Sequence, residues 1–159
     1  MKKIFFLVAI IATALVQYSS AHDNTKQNQL PQLLSNYNNI KNALVADNAG
    51  QAASAAASFV KAANSIDYKV VSEGNLNTLV RDAEKISDAR DIKKQREYFA
   101  NLSTNMVAVA KGVSLSDKPV YQQYCPMKKA YWLSNEKAIK NPYYGSSMLT
   151  CGEITDTLQ

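Results

Sequence analysis

The sequence predicts an all-α protein, an up-down four-helix bundle with an irregular C-terminal segment docked on it. Apolar residues recur at spacings of three and four between residues 29 and 113, which is typical of amphipathic helices. The connections between these stretches are short and polar, which favours antiparallel neighbours. Helical periodicity stops after Gly112, where tyrosines, prolines and sulfur-containing residues appear, so an irregular segment is expected from there to the end.

The first 21 residues are typical of a secretory signal peptide. Lys2 and Lys3 precede an apolar run at residues 4–16, and Ser19-Ser20-Ala21 offers small residues for cleavage after Ala21. The run is shorter than the roughly 20 apolar residues that a membrane-spanning helix needs, and no later stretch approaches that length. We therefore expect a periplasmic or secreted protein with no membrane span after signal removal.

Residues 22–159 are long enough for one domain with one hydrophobic core. Removal of the signal lysines lowers the formal charge from +5 to +3, and long runs of like charge do not occur. The densest basic stretch, Lys93-Lys94-Gln95-Arg96, is interpreted as a solvated helix face. Nucleic acid is therefore not an expected partner.

Four apolar stripes predict the helices of the bundle, which should span residues 29–113. The first helix should end near Asn48, Ser72 or Asn75 should cap the third, and Lys111-Gly112 should end the fourth. The junction at residues 87–91 contains no glycine or proline, so one long helix in place of the last two is the alternative. The stripes are Leu30, Leu33, Leu34, Tyr37, Ile40, Leu44 and Val45; Ala52, Ala53, Ala56, Phe59, Val60 and Ala63; Leu76, Leu79, Val80, Ala83 and Ile86; and Ile92, Phe99, Leu102, Met106, Val109 and Val113.

The segment 114–159 contains both cysteines and two of the four methionines, which makes it the candidate metal site. Cys125 and Met127 would share a face of an extended segment, whereas Met148 and Cys151 would share a face of a helical turn. Thiolate and thioether sulfur are soft donors that select Cu(I) over harder ions. The segment has no histidine, which makes zinc a poorer fit. These four residues are the predicted Cu(I) ligands.

Three further residues are predicted to shape this site. Pro126 and Gly152 would shape the loops that carry the cysteines, and the ring of Trp132 would shield a bound cation. The ligands need not come from one chain, and a dimer that pairs Cys125 and Met127 across two chains stays open.

A disulfide between Cys125 and Cys151 is the alternative to metal binding. Exported proteins are oxidised, and closing a loop of about 26 residues would stabilise the fold by roughly 3.5 kcal/mol. The protein would then be a periplasmic interaction module without a metal, recognising another protein through an aromatic surface. That surface would comprise Tyr121, Tyr124, Tyr131, Tyr143 and Tyr144. Both functions stay open at this point.

An enzymatic function is not expected. His22 is the only histidine and lies near the start of the processed chain, so no catalytic arrangement with an internal histidine can be built. A Cys-x-x-Cys motif, the usual signature of thiol oxidoreductases, is also absent.

Several motifs of this sequence resemble one bacterial family of unknown function, DUF3347, which occurs alone or attached to adaptor subunits of heavy-metal efflux pumps. The motifs are Lys41-Asn42-Ala43-Leu44-Val45, Gln95-Arg96-x-x-Phe99-x-x-Leu102-Ser103, Cys125-Pro126-Met127, Trp132-Leu133-Ser134, Asn141-Pro142-Tyr143-Tyr144-Gly145 and Met148-Leu149-Thr150-Cys151-Gly152. The resemblance implies an exported protein that handles copper, with a heavy-metal efflux component as a partner. Cys125-Pro126-Met127 also resembles the short heavy-metal motif of copper ATPases, but Lys128 follows where that motif has His-Pro.

Overall fold

The computed structural model describes residues 29–158, which form four helices followed by three antiparallel strands. The helices are α1 (Gln29–Val45), α2 (Ala49–Asn64), α3 (Glu73–Asp88) and α4 (Ile92–Gly112). The strands are β1 (Val120–Cys125), β2 (Ala130–Ser134) and β3 (Glu153–Leu158), with a short 3₁₀ helix at Gly145–Met148 before β3. The predicted signal peptide lies outside the described residues. None of the helices between residues 29 and 158 has the length and apolar character needed to cross a membrane.

The predicted four-helix arrangement is confirmed, and each helix packs against the next along the chain. Polar side chains cap three of the helices, as their sequences favour. The side-chain oxygen of Asn48 accepts a hydrogen bond from Gln51 N at 2.9 Å at the start of α2, and Ser72 caps α3. The fourth helix ends at Gly112, as predicted.

The last two helices are separate, so the alternative of one long helix is wrong. Asp91 caps α4 by accepting a hydrogen bond from Lys94 N at 2.9 Å. The fully buried Gln95 fixes the break, because its side-chain nitrogen donates to the carbonyls of Ala49 and Ala89, each at 2.9 Å. The aspartate that caps the start of α4 and the buried amide of Gln95 therefore separate α3 from α4 without a glycine or proline.

The protein is mostly helical but not purely all-α, which corrects the predicted fold class. The C-terminal segment forms a three-stranded antiparallel sheet in the order β2-β1-β3 instead of an irregular structure. Tyr124 lies opposite Tyr131 of β2 and Glu153 of β3. The prolines and glycines that suggested irregular structure instead mark the connections between short strands.

The sheet packs on α4 and extends the core of the bundle. Trp132 and Leu133 of β2 are fully buried, and Leu133 N donates to the Tyr37 hydroxyl at 3.1 Å. The same hydroxyl lies 2.6 Å from Ser103 Oγ, while the Tyr37 ring stacks on Phe99 with 5.2 Å between centroids. One continuous core therefore joins the helices to the sheet that carries the cysteines.

Candidate functional site

Antiparallel pairing of β1 with β3 brings the two cysteines to the same end of the sheet. Tyr124 pairs with Glu153, so Cys125 follows this pair on one strand and Cys151 and Gly152 precede it on the other. A Cβ atom on Gly152 would lie only 2.9 Å from the Tyr124 carbonyl oxygen, which shows how closely the two backbones approach. Both cysteines are free thiols in this part of the chain. The spacing of 26 residues in sequence is thus closed by strand pairing.

Cys125 is fully buried at the start of the turn that joins β1 to β2. Lys129 N donates to the Cys125 carbonyl at 2.8 Å, and Lys129 has a φ of 55° that closes the turn. Lys128 N lies 3.4 Å from Cys125 Sγ and donates to it. The Cys125 sulfur therefore points toward the backbone of the turn that follows β1.

Cys151 is half-buried beside Cys125. Burial raises the pKa of the Cys151 thiol, and the charge and hydrogen bonding of the neighbouring Cys125 side chain raise it further. Cys151 is therefore protonated at neutral pH, and a metal ion that binds its sulfur must displace the proton.

The two methionines of the predicted ligand set are exposed. Met127 lies in the turn after β1 with 63% of its surface exposed, and Met148 ends the 3₁₀ helix with 37% exposed. Cys151 N donates to the Met148 carbonyl at 3.1 Å, so these two residues span one turn, as their spacing predicts. The structure thus brings the two thiols together and leaves both thioethers in solvent close to them along the chain.

The residues predicted to shape the site occupy distinct positions. Gly152 has a φ of 153°, and a Cβ atom there would lie 2.8 Å from Trp132 Cη2, so glycine is required at this position. Trp132 is fully buried and meets the Tyr143 ring edge to face at 5.9 Å between centroids. The Trp132 ring therefore lies against Gly152 within the core. Pro126 is exposed in the turn directly after Cys125.

Groups of three or more histidine, cysteine, aspartate or glutamate side chains that could hold a metal ion do not occur between residues 29 and 158. Between residues 29 and 158, the candidate site therefore offers the two cysteine sulfurs and, close to them along the chain, the two methionine sulfurs. Such a set suits a soft ion that accepts few ligands.

A family model described as "Protein of unknown function (DUF3347)" matches residues 33–118. This range is more than half of the 159 residues. The chain belongs to the DUF3347 family. The matched range covers the helices except the first four residues of α1 and ends before β1, so the two cysteines lie outside it. No curated protein and no solved structure matches the chain.

Within the range that matches DUF3347, Arg96 holds the segment that leads to Cys151. Its Nε donates to the Pro142 carbonyl at 2.9 Å, and its Nη2 donates to the Leu44 carbonyl at 2.8 Å and to Asp47 Oδ1 at 2.5 Å. The basic stretch at residues 93–96 is therefore not a uniformly solvated face, because Arg96 and Gln95 are structural. Sequence reasoning missed this function, since a helical arginine in a basic run gives no sign of its partners.

Asp47 and Gly145 complete this attachment. The other carboxylate oxygen of Asp47 accepts hydrogen bonds from Ser146 N at 3.1 Å and from Ser146 Oγ at 2.6 Å. These Ser146 bonds, and then the Arg96 guanidinium, lower the pKa of Asp47 to about 2. Gly145 has a φ of 55°, and a Cβ atom there would overlap Arg96 and Asp47. The glycine in Asn-Pro-Tyr-Tyr-Gly was the signal in the sequence for this close contact.

Asn141 holds the Cys151 backbone directly and is a second residue that sequence reasoning missed. It is fully buried, and its Nδ2 donates to the Cys151 carbonyl at 2.7 Å. Its N donates to the Leu149 carbonyl at 2.8 Å. Tyr143, which was predicted to lie on an aromatic surface, is buried and donates its hydroxyl hydrogen to the Tyr131 carbonyl. The strand ends that carry the cysteines are thus positioned by polar groups of the segment itself.

Proposed function

We propose that this DUF3347 protein is an exported soft-metal-binding protein that holds Cu(I) through Cys125 and Cys151. Met127 and Met148 act as supporting ligands, and the protein serves copper buffering, delivery or efflux. The observation that supports the proposal is the pairing of β1 with β3, which sets two free thiols side by side. The partner in delivery is proposed to be a component of heavy-metal efflux.

The chemistry of the residues favours Cu(I) over other ions. Two thiols and two thioethers form an all-sulfur donor set, which suits a soft monovalent ion. Cys125 is buried and Cys151 is half-buried, so the ion enters past Cys151. The exposed side chains of Met127 and Met148 are free to swing onto the ion, because methionine has three rotatable bonds.

Each thiol loses its proton when the ion binds, which makes the binding depend on pH. The pKa of Cys151 is raised, so protons compete with the metal at this sulfur throughout the neutral range. The apparent Cu(I) affinity should therefore rise with pH until the Cys151 thiol is ionised.

A competition titration of the reduced protein against a coloured Cu(I) chelator tests the proposal. We expect the parent to hold one equivalent of Cu(I), and Cys125→Ser/Cys151→Ser to hold none. Met127→Leu/Met148→Leu should weaken the affinity roughly tenfold, which corresponds to about 1.4 kcal/mol. Met106→Leu is the matched control, because Met106 is buried in the core of α4. No competition by the parent would refute the proposal.

A second candidate function, the interaction module with a Cys125–Cys151 disulfide, is favoured by one observation. Residues 153–157 of β3 are all exposed, and β3 is an edge strand of the sheet that a partner strand can extend. The partner would again be an efflux component or another exported protein. This function requires an oxidised cysteine pair and tolerates Met127→Leu/Met148→Leu, so thiol counting on the protein as isolated separates the two candidates.

A further inference from the structure

A pocket of about 340 Å³ lies between the first turns of α4 and the segment that carries the cysteines. Lys93 and Arg96 of α4 line one part of it, and Lys128, Tyr143 and Ser147 of the C-terminal segment line another. Its volume is within the range of small-molecule sites. The pocket is therefore formed where the two parts of the protein meet.

Two residues that line this pocket are linked to proposed metal ligands. Lys128 lines the pocket, and its backbone N–H donates to Cys125 Sγ at 3.4 Å. Ser147 lines the pocket and immediately precedes Met148, whose carbonyl accepts the hydrogen bond from Cys151 N. The pocket is therefore connected to Cys125 by the hydrogen bond from Lys128, and to Met148 along the chain from Ser147.

The charge of the lining favours an anion. Within residues 29–158, Lys93 and Lys128 form no ion pair, whereas the Arg96 guanidinium is paired with the Asp47 carboxylate. Glu97 is the acidic residue of the lining. Two unpaired ammonium groups against one carboxylate leave the pocket with a net positive charge, which attracts anionic ligands over a range set by the ionic strength.

We propose that this pocket receives a small thiol bearing carboxylate groups, in the form of its Cu(I) complex. This inference rests on the proposed function, because the metal carried by that complex is the one that Cys125 and Cys151 would take up. The carboxylates lie against Lys93 and Lys128, and the sulfur-bound copper faces the cysteines. The pocket is thus an entry site for copper that arrives on a small anionic carrier.

The transfer is a ligand exchange without a change of oxidation state. The Cys151 sulfur forms a bond to copper as the bond between copper and the carrier sulfur breaks. The proton of the Cys151 thiol passes to the departing carrier thiolate, so that a neutral thiol leaves. A second exchange of the same kind at Cys125 completes the two-thiolate site, and copper remains Cu(I) throughout.

The test measures the rate of Cu(I) transfer from two donors to the purified, reduced protein at low ionic strength. The donors are the Cu(I) complex of glutathione, which carries carboxylates, and that of 2-mercaptoethanol, which does not. Lys93→Gln/Lys128→Gln should slow transfer from the glutathione complex roughly tenfold and leave transfer from the 2-mercaptoethanol complex, which lacks carboxylates, unchanged. Glu97→Gln should accelerate transfer from the glutathione complex alone.

The matched control is Lys61→Gln/Lys69→Gln, which removes the same charge from exposed residues that do not line the pocket. The inference would be overturned if the control slowed transfer from the glutathione complex as much as Lys93→Gln/Lys128→Gln does. It would also be overturned if Lys93→Gln/Lys128→Gln slowed transfer equally from both donors. If the parent takes copper from neither donor, the proposed function itself fails. Uptake from both donors with no effect of Lys93 and Lys128 would refute the pocket and leave the proposed function standing.

Discussion

The helical bundle and the C-terminal segment are held in place by different kinds of interaction. Side chains such as Leu79 and Phe59 are fully buried in the bundle, where apolar packing acts without strong directional demands. The C-terminal segment shares this core through Trp132 and Leu133, but the chain that leads to Cys151 is positioned by hydrogen bonds to main-chain carbonyls. Arg96 of the bundle donates to the Pro142 carbonyl, and Asn141 donates to the Cys151 carbonyl. The difference teaches that the fold rests on the bundle, whereas the geometry of the thiols rests on a few polar contacts.

The largest effect that separates the two regions is expected from glycine substitutions. Gly152→Ala should lower the free energy of unfolding by about 2–4 kcal/mol, because φ is positive and the new Cβ would overlap Trp132 and the Tyr124 carbonyl. Gly74→Ala is the matched control in α3, where a Cβ atom meets nothing within 4 Å. It should raise the free energy of unfolding by up to about 1 kcal/mol. Urea unfolding measures both, and equal effects would contradict the comparison.

The next effect concerns the attachment of the segment. Arg96→Lys should lower the free energy of unfolding by about 2 kcal/mol. One ammonium group cannot replace the hydrogen bonds that Arg96 donates to Pro142, Leu44 and Asp47. Hydrogen exchange should accelerate at Ser146 N, which is held by Asp47, before it does in α2 and α3. Arg81→Lys, at an exposed position of α3, is the control and should leave both the free energy of unfolding and the hydrogen exchange unchanged. Uniform acceleration across all helices would show that the segment does not detach separately.

The smallest effect comes from a buried charge between the two regions. Lys41 of α1 is buried and donates to Ser134 Oγ of β2 at 3.1 Å. Burial lowers the pKa of Lys41 to about 8, while Glu136 opposes this shift. The unfolded chain then binds more protons than the folded protein above this pKa, so stability should rise with pH. The gain is about 1 kcal/mol between about pH 8 and pH 9.

Denaturation of Lys41→Met at the same pH values measures this contribution, because the variant lacks the titrating group. The free energy of unfolding of the parent, relative to that of Lys41→Met, should increase as the pH rises. Lys61→Met removes an exposed lysine and should follow the parent. A difference that stays constant with pH would show that Lys41 does not titrate in this range.

The sequence predicts the two regions to different extents. The bundle follows from the periodicity of residues such as Leu33, Tyr37 and Ile40, all of which are fully buried as expected. The sheet was missed because its strands have five or six residues and lie between prolines and glycines, which also mark irregular loops. Strand pairing at a distance of about 30 residues leaves no periodic signal in the sequence.

For the candidate site, the sequence shows which residues carry sulfur donors, but it does not show which residues hold them in place. Cys125 and Cys151 were identified from their donor atoms, and the structure sets them together. The turn from Met148 to Cys151 agrees with their spacing. Asn141 and Arg96 were missed, because their function depends on carbonyl groups that only the folded chain brings near. Directional contacts between distant residues cannot be inferred from one sequence in the way that an apolar stripe can.

X-ray absorption at the copper K edge of the Cu(I)-loaded protein tests the central claim most directly, since it identifies the atoms bound to the metal. The account predicts a shell of sulfur alone in the parent and loss of that shell in Cys125→Ser/Cys151→Ser. A nitrogen or oxygen shell in the parent, or an unchanged sulfur shell in the variant, would contradict the assignment of the paired thiols as the copper site.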